Sequence, residues 1–363
     1  MPQVILDAHI HLWPSSAANE ASHSWMVPGG HLTKQYSLGD YLEAVAPAAS
    51  DFTHSGFVYV ETDRTVGSKV TDDLTVQAAE PLKEIEFLRS IVEGTAEDGH
   101  AFRAQDATLL RGIVAWAPLN RPLPDFLRYM EIARETAGEA TWSKIKGFRF
   151  LLQGIVNEDE FKQLVDPSES SFVTLLKFLG SQNLSFDVGV DQRQGGVWQL
   201  ERFAAVIELA HKDVATENKT IFILNHLCKP DMEQPPTTDA RTNQNFERWK
   251  IAISRMAKQE RVYMKLSGAF SEIADQTTES PMPVSEVVER MKPWLDQVFA
   301  EFGPRRIMFG SDWPVCNVRG PGDSKSWSHW VKVVDQVLRS RRLLDDEMNR
   351  VWHGTAEEAY RLN

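Results

Sequence analysis

Short apolar and β-branched runs recur along the chain, and most of them are separated by stretches with a longer hydrophobic period. In those intervening stretches apolar residues return every three or four positions, which is typical of amphipathic helices. The clearest helical stretches are 81–93, 198–212, 246–258 and 327–340. The short runs predict eight β-strands, at 4–12, 56–61, 111–117, 145–151, 184–190, 220–225, 261–267 and 305–310. Strands that alternate with helices in this way form parallel sheets.

Eight strand and helix units within 363 residues indicate a (β/α)8 TIM barrel, one domain over residues 1–363, and not an open doubly wound sheet. No glycine-rich phosphate loop follows any strand, although that loop is the main signature of the open alternative. The segment 344–363 predicts a short helix, a glycine break and a last helix that caps the outside of the barrel. The longer irregular stretches follow strands, as loops at the catalytic face of a barrel do: 14–37, 62–75, 231–245 and 271–284.

The first predicted strand, VILDAHIHLW, carries polar residues at every second position of an apolar run. Because side chains alternate across a strand, one face is expected to hold Leu6, Ala8, Ile10 and Leu12, and the other Asp7, His9, His11 and Trp13. The apolar face would pack on helices, so the polar face would point into the barrel. Two imidazoles two residues apart at the rim can hold one metal ion or one substrate atom.

Two later strand ends bring further chemistry to the same rim. The eighth strand, RRIMFGSDWPV, ends in a small-residue turn with Asp312, and closure of a barrel sets strand eight beside strand one. Asp312 is therefore expected to neighbour His9 and His11. The sixth strand, TIFILNHLCKP, ends at His226, which taken alone is more typical of a structural histidine than of a catalytic one.

Four more charged residues lie in or at the ends of predicted strands: Glu61, Arg149, Asp187 and Lys265. Charged groups in apolar strands are rarely buried without a partner. Each is therefore expected either to form an ion pair inside the barrel or to contact a substrate. The chain also has 11 tryptophans, several of them beside these motifs, a placement typical of a pocket wall.

The composition limits the kind of partner and location. A net charge of −12 without a cluster of Lys and Arg disfavours nucleic acid, and no apolar run approaches the roughly 18 to 20 residues of a membrane-spanning helix. The N-terminus shows no signal-peptide pattern and the chain has only two cysteines, so a reducing, cytoplasmic location is expected. Cys228 lies two residues from His226, but nearness in sequence does not establish the geometry of a thiol nucleophile and its base.

Six motifs together resemble the amidohydrolase superfamily, and within it the amidohydrolase-related branch that contains sugar-acid lactonases such as the L-rhamnono-, L-fucono- and 2-pyrone-4,6-dicarboxylate lactonases. The motifs occur in family order from the first strand to the last helix: DAHIHLW (7–13), KGFRF (146–150), NHLCKP (225–230), MKLSG (264–268), FGSDWPV (309–315) and HGTAEEAYRL (353–362). The resemblance therefore covers essentially the whole chain. A His-x-His pair alone would be a weak signal, whereas the ordered set is specific.

The resemblance implies that His9 and His11 are the strand-one pair, that His226 is the strand-six histidine, and that Asp312 activates or orients the attacking water. Many metal-dependent members have a histidine on strand five, where this chain has Asp187, and strand four offers no lysine on the matching face to bridge two metals. A two-metal centre is therefore disfavoured. Two alternatives stay open: one divalent ion, zinc or manganese, on His9, His11 and Asp312, or catalysis without metal.

The reaction that follows from the resemblance is hydrolysis of a lactone, which needs a water nucleophile, a base and a group that stabilises the developing oxyanion. Asp312 is expected to be the base, and His226 or an ion to polarise the carbonyl. Arg149 and Lys265 are expected to bind hydroxyl or carboxylate groups of the substrate. The remaining candidate substrate contacts are Glu61, Asp187 and the flat rings of Trp13, Trp116 and Trp313.

We therefore expect an aldonolactonase of carbohydrate metabolism, such as an L-rhamnono-1,4-lactonase, acting on a small-molecule lactone or sugar acid. A decarboxylase or amidase on the same barrel is the alternative enzyme, and the missing strand-five histidine counts against the decarboxylase. A third hypothesis is a catalytically silent barrel that binds a sugar acid. A homodimer is compatible with each of these hypotheses.

Overall fold

The computed structural model describes residues 3–67, 73–95, 103–237 and 239–362, and its eight parallel strands form one sheet in chain order. The strands are β1 (Gln3–Ile10), β2 (Phe52–Val60), β3 (Leu110–Trp116), β4 (Ile145–Arg149), β5 (Ser185–Val188), β6 (Ile221–Leu224), β7 (Val262–Leu266) and β8 (Ile307–Phe309). The sheet closes just beyond β8, where the His11 amide donates to the Trp313 carbonyl at 2.8 Å and the Asp312 amide donates to the His9 carbonyl at 2.9 Å. The predicted (β/α)8 barrel is thus confirmed.

Helices connect the strands. Those in the described ranges are α1 (Leu38–Val45), α2 (Leu74–Gln77), α3 (Ala79–Val92), α4 (Leu123–Trp142), α5 (Glu158–Val165), α6 (Phe172–Ser181), α7 (Val197–His211), α8 (Ala240–Ala257), α9 (Val284–Phe302), α10 (Ser326–Ser340), α11 (Asp345–Asn349) and α12 (Thr355–Tyr360). α1 begins with a capping box, in which the Ser37 hydroxyl accepts from the Asp40 amide and the Asp40 carboxylate accepts from the Ser37 amide.

The structure shortens one of the predicted loops. α8 begins at Ala240, so the predicted loop 231–245 ends in the first turns of a helix. Residues 68–72 of the predicted loop 62–75, and Thr238, lie outside the described residues. Within the described ranges, no helix combines the length and the apolar character that crossing a membrane requires.

The strands separate two apolar regions. One cluster joins side chains from strands that are not neighbours, such as Val58 of β2 and Ile223 of β6, so it lies across the barrel interior. Its strand members are Leu6, Ala8, Val58, Val60, Val114, Ile221, Ile223, Tyr263 and Met308. Alternate residues of the same strands, for example Phe57 and Phe222, belong to the larger core between barrel and helices. The interior cluster lies toward the amino ends of the strands and leaves the carboxyl ends to polar side chains.

The first strand does not alternate as predicted, because it contains a β-bulge. Asp7 pairs with Phe57 and Ile10 pairs with Tyr59, so β1 uses three residues where β2 uses two. The extra residue shifts the alternation of inward and outward side chains by one position.

Because of the bulge, the residues before His9 face the opposite way from the prediction. Leu6 and Ala8, expected to face the helices, lie in the interior cluster. Asp7, expected to point inward, faces the helices, where its carboxylate accepts hydrogen bonds from the Tyr41 hydroxyl at 3.0 Å and the Trp327 indole at 2.9 Å. The two histidines that follow the bulge do face the interior.

The last helix of the C-terminal segment, α12, enters the barrel, so the prediction of a cap on the outside is wrong for that part of the segment. α11, one π-helical turn (Arg350–Gly354) and α12 follow one another, and Gly354 keeps helical dihedral angles of φ −65° and ψ −30°, so the predicted glycine break is absent. Tyr360 and Leu362 belong to the interior cluster. A Cβ atom at Gly112 of β3 would lie 2.9 Å from Leu362 Cδ2, so the missing side chain leaves room for the segment. The barrel is therefore filled from its amino-terminal end by the last residues of the chain.

Candidate active site

The carboxyl ends of the strands surround a cavity of about 230 Å³. This volume is below the roughly 300 to 1,000 Å³ of pockets for drug-sized ligands and suits a small metabolite. The lining consists of His11, Trp13, Trp25, Leu32, Thr62, Asp63, Arg149, Leu151, Gln153, His226, Lys229, Asp312 and Val315. The structure thus brings five predicted site residues, from strands distant in sequence, to one cavity: His11, Trp13, Arg149, His226 and Asp312.

Asp312 lies among three imidazoles. Its Oδ1 is 3.6 Å from His9 Nε2, 3.5 Å from His11 Nε2 and 3.6 Å from His226 Nε2. Its backbone is left-handed (φ 62°), which is uncommon for a residue with a side chain. Burial raises the pKa of the Asp312 carboxyl, but the Coulomb effect of His226, with further effects of His11 and Lys229, outweighs burial and holds the pKa below its ordinary value. Asp312 is therefore ionised near neutral pH and can accept a proton.

The two strand-one histidines are oriented by different partners. His11 Nδ1 donates to the Val60 carbonyl at 2.8 Å, so its Nε2 is an acceptor in the neutral ring. His9 Nδ1 lies 3.0 Å from Lys265 Nζ, and because an ammonium group only donates, the proton of neutral His9 is on Nε2. The two Nε2 atoms are 3.1 Å apart, which makes a hydrogen bond from His9 to His11. Burial, and then the charge of Lys265, hold the pKa of His9 well below its ordinary value, so the ring is neutral.

His9, His11 and Asp312 can hold one divalent ion. Their ligand atoms all lie within 4.8 Å of one another, and two imidazole nitrogens with a carboxylate oxygen form a donor set that suits zinc. The two histidines differ in one respect. A ligating histidine normally donates its second N–H to an acceptor, as His11 does, whereas the second nitrogen of His9 faces Lys265. An ion would therefore have to replace the proton on His9 Nε2.

His226 begins a left-handed turn over 226–229, in which φ lies between 47° and 60° at all four residues. Residues with side chains rarely adopt this conformation in succession, and the surrounding structure holds it. The Leu227 carbonyl, for example, accepts from the Trp249 indole at 3.0 Å. The turn directs both His226 and Lys229 to the cavity. Cys228 within the turn is fully buried, and burial raises the pKa of its thiol, which argues against a thiolate nucleophile.

The ring of His226 is closely packed. Its Nδ1 is 2.8 Å from Ser267 Oγ. A Cβ atom at Gly268, where φ is 64°, would lie 2.5 Å from the same nitrogen, so only glycine leaves room for the ring. Burial lowers the pKa of His226 to about 3 against the opposing effect of the Asp312 charge. The ring is therefore neutral at physiological pH.

Arg149 reaches the cavity from the end of β4. Its guanidinium forms an ion pair with the Glu61 carboxylate and also donates to the Glu61 carbonyl. Glu61 in turn accepts from the Asp63 amide at 2.6 Å. Asp63 has a left-handed backbone (φ 55°) and lines the cavity, and burial, followed by the charge of Glu61, raises its pKa to about 6. Glu61 therefore holds its neighbours in place, and Asp63 adds a second carboxylate to the lining besides Asp312.

Asp187 and Lys265 lie beneath the cavity. Both side chains have 0% accessible surface, and Lys265 Nζ donates to Asp187 Oδ2 at 2.6 Å. Of the two expectations for these residues, an ion pair or a substrate contact, the structure shows the ion pair. Lys265 touches His9, and through it the site, without facing the cavity.

The three tryptophans expected as walls are placed differently. Trp13 lines the cavity, together with Trp25, whose ring centre is 5.8 Å from that of Trp13. The ring of Trp116 packs edge-on against Tyr129 with centres 5.3 Å apart, and that of Trp313 against Tyr36 with centres 5.2 Å apart. Trp116 and Trp313 therefore pack in the core.

Four polar lining residues were not singled out in the sequence: Thr62, Asp63, Gln153 and Lys229. Lys229 belongs to the NHLCKP motif and Asp63 lies two residues after Glu61, so both stood beside recognised positions. The left-handed backbones of Asp63 and Lys229 turn the chain over the cavity. A hydrophobic pattern in the sequence does not predict such a turn.

Comparisons with known proteins agree with this geometry. A family model described as amidohydrolase matches residues 123–362. The chain is 28% identical to the L-rhamnono-gamma-lactonase of Scheffersomyces stipitis, over 99% of this chain and 98% of that protein. It is 27% identical to the L-fucono-1,5-lactonase of Burkholderia multivorans, over 98% and 96% of the two chains. A solved amidohydrolase from Burkholderia multivorans with bound zinc shares the fold with a TM-score of 0.69 at 24% identity, over 99% of this chain and 100% of that chain.

Proposed function

Because the chain belongs to the amidohydrolase family, we propose that it is a hydrolase that opens the lactone ring of a sugar acid, an aldonolactonase of the L-rhamnono-1,4-lactonase type. The main observation is the ionised Asp312 carboxylate, which lies among three imidazoles and lines a cavity of about 230 Å³. The similarity to two sugar-acid lactonases supports a sugar-acid lactone as the substrate class.

In the proposed reaction Asp312 is the base. A water molecule gives a proton to the carboxylate while its oxygen attacks the lactone carbonyl. The bond between the carbonyl carbon and the ring oxygen then breaks, and the ring oxygen leaves as a hydroxyl with the proton from Asp312. One water is consumed, and the carboxyl group of the product ionises, so each turnover releases one proton to solution near neutral pH.

His226 is the proposed donor to the oxyanion. With the Ser267 hydroxyl donating to Nδ1, the neutral ring carries its own proton on Nε2. That N–H lies beside Asp312 and supports negative charge that develops on the carbonyl oxygen. The low pKa of His226 keeps the ring a neutral donor near neutral pH, where Asp312 is ionised.

The lining combines two kinds of side chain, which supports a substrate with a hydroxylated part and an apolar end. The hydrogen-bonding group is Thr62, Asp63, Arg149, Gln153 and Lys229, and the apolar group is Trp13, Trp25, Leu32, Leu151 and Val315. A lactone derived from a 6-deoxy sugar has ring hydroxyls for the first group and a terminal methyl for the second. Its neutral ring also needs no charged partner before it opens.

A divalent ion, zinc or manganese, is compatible with the same site. His9, His11 and Asp312 would hold the ion, which when bound would polarise the lactone carbonyl. Zinc in the related solved amidohydrolase supports this choice of ion. Elemental analysis of the purified protein, with turnover measured before and after chelation, separates ion-dependent catalysis from catalysis by Asp312 and His226 alone.

The proposal is tested with a panel of aldonolactones of both ring sizes, with proton release as the readout. The wild-type protein is expected to release acid from at least one lactone. Asp312→Asn should lower kcat by about 10³-fold, within the range for loss of a general base, without a change in melting temperature. The matched control is Asp296→Asn, which removes an exposed carboxylate that pairs with Lys292 on α9.

Three outcomes are informative, the third from carboxylic acid and amide substrates assayed beside the panel. Full activity in Asp312→Asn would show that another group is the base. Thermal stabilisation by lactones without acid release would indicate a silent binding barrel. Release of carbon dioxide or of an amine from the corresponding substrates would indicate a decarboxylase or an amidase.

A further inference from the structure

We propose that Tyr360, near the end of the chain, is a positioning residue of the active site: with Asp187 and Lys265 it forms a buried hydrogen-bonded column that fixes the ring of His9 from beneath. We call these three residues the floor column. All three side chains belong to residues with 0% exposure, so they act through His9 and not through contact with substrate. The inference rests on the proposed function, because it assigns roles within the same site.

Each link of the floor column is a direct contact. The Tyr360 hydroxyl donates to the Asp187 carboxylate, at 2.9 Å from Oδ1 and 2.8 Å from Oδ2. Lys265 Nζ lies 2.6 Å from Asp187 Oδ2 and 3.0 Å from His9 Nδ1. Lys265 Nζ is also 5.4 Å from the centre of the Tyr360 ring, within the range of a cation–π contact. The contacts therefore run unbroken from α12 to the imidazole beside Asp312.

The floor column explains how a charged pair is kept in the barrel. Two buried charges stay in place only when their other polar atoms are also satisfied. Tyr360 supplies a hydrogen bond at Asp187 Oδ1, the carboxylate oxygen that Lys265 does not contact. With Asp187 held at both oxygens, Lys265 is fixed between Asp187 and His9, and the His9 ring keeps its Nε2 at 3.6 Å from Asp312.

A second tyrosine offers a matched comparison. Tyr263 of β7 donates its hydroxyl to Glu358 of α12 at 3.0 Å and so anchors the same helix. Tyr263 and Tyr360 both belong to the interior cluster, and each hydroxyl meets one carboxylate. Only the contact of Tyr360 leads on to His9. Loss of either hydroxyl therefore tests the anchoring of α12, and loss of the Tyr360 hydroxyl alone tests the floor column.

The experiment compares Tyr360→Phe with Tyr263→Phe. Phenylalanine keeps the ring, its packing and the cation–π contact, and removes only the hydroxyl. In Tyr360→Phe we expect kcat for lactone hydrolysis to fall about tenfold, equivalent to about 1.4 kcal/mol in activation free energy. KM should change by less than about twofold, because the residues that line the cavity are unaltered. In Tyr263→Phe both constants should stay at the wild-type values, and thermal denaturation of each variant measures its structural cost.

A second measurement does not depend on lactone hydrolysis. The ring nitrogens of His9 are observed by NMR in protein labelled with ¹⁵N-histidine and assigned by comparison with His9→Gln. We expect the Nδ1 signal of His9 to shift in Tyr360→Phe and to stay in place in Tyr263→Phe. If the protein hydrolyses no lactone, the proposed function fails and the His9 signal still decides the inference. Equal kcat values and equal His9 signals in the two variants would overturn it.

Discussion

The two halves of the barrel interior are built by the same strands and have opposite chemistry. The half at the amino ends of the strands, the apolar half, contains side chains such as Leu6 and Ile221 and is filled by the C-terminal segment. The half at the carboxyl ends, the polar half, contains buried charged groups such as Asp187 and Lys265, which lie in direct contact. A few residues along each strand therefore separate a hydrophobic core from a reactive site.

The difference separates stability from activity. Apolar side chains stabilise the fold by roughly 25 cal/mol for each Å² removed from water. Charged side chains lose their hydration on burial, and pairing offsets that loss without adding much stability. Substitutions of residues that face the cavity in the polar half are therefore expected to remove activity at little cost in stability, and substitutions in the apolar half to do the reverse.

A large change that would test this contrast is expected from His226→Leu in the polar half. Loss of the donor to the oxyanion should lower kcat by about 10²- to 10³-fold, while the melting temperature stays close to that of the wild type. Proton release and thermal denaturation measure the two quantities.

His211→Leu is the control for His226→Leu. His211 is also a buried histidine, but it lies on α7, where its Nε2 donates to the Thr220 carbonyl at 2.9 Å. Its substitution should leave kcat unchanged. Similar losses of kcat in both variants would mean that the effect is a general response to the loss of a buried ring.

Ile221→Ala in the apolar half is expected to have the opposite effect. Ile221 starts β6, is 4% exposed and packs in the interior cluster. A truncation of this kind in a core costs about 2 to 5 kcal/mol in free energy of unfolding, which denaturant titration measures. The value of kcat/KM at 25 °C should remain within about twofold of wild type, because no group of the site has moved. A variant that keeps its stability and loses its activity would remove the contrast between the halves.

Much of the polar half could be predicted because polar residues at the ends of apolar strands can be recognised in the sequence. Barrel closure alone places Asp312 beside His9 and His11, which are some 300 residues away in the chain. The bulge in β1 could not be predicted in the same way, because the residues around Asp7 fit a regular alternating strand equally well. The bulge is visible only in the pairing with β2, where three residues face two.

The sequence also could not predict whether a charged strand residue lies below the cavity or lines it. Lys265 and Arg149 occupy similar apolar strands, yet Lys265 lies under the site and Arg149 lines it. What decides is the partner that each finds across the barrel, Asp187 in one case and Glu61 in the other. The position of Tyr360 was missed for a related reason. The sequence of its helix is typical of an amphipathic helix on the protein surface, and only the fold shows that Tyr360 enters the barrel.

The smallest effect, and the one that refines the boundary of the polar half, is expected from Asp63→Asn. Asp63 lines the cavity, and its pKa is raised to about 6 by burial and by the charge of Glu61. A raised pKa means that the folded protein binds this proton more tightly than the unfolded chain does, so folding stability falls as the pH rises from about 4 to above 6. Asparagine has no charge to bury, so the variant should melt at a higher temperature than wild type at pH 8 and at nearly the same temperature at pH 4.

Activity should respond to Asp63→Asn in the opposite direction. In the proposed function the ionised carboxylate would accept hydrogen bonds from substrate hydroxyls, so kcat/KM of the wild type should rise as the pH passes through about 6, and this rise should be absent from the variant. The loss of kcat/KM at pH 8 should be severalfold and should lie in KM, because Asp63 is not expected to contact the reacting carbonyl. A loss confined to kcat would move Asp63 into the group that acts on the transition state. An unchanged pH profile would instead place its carboxylate with the buried structural charges of the polar half.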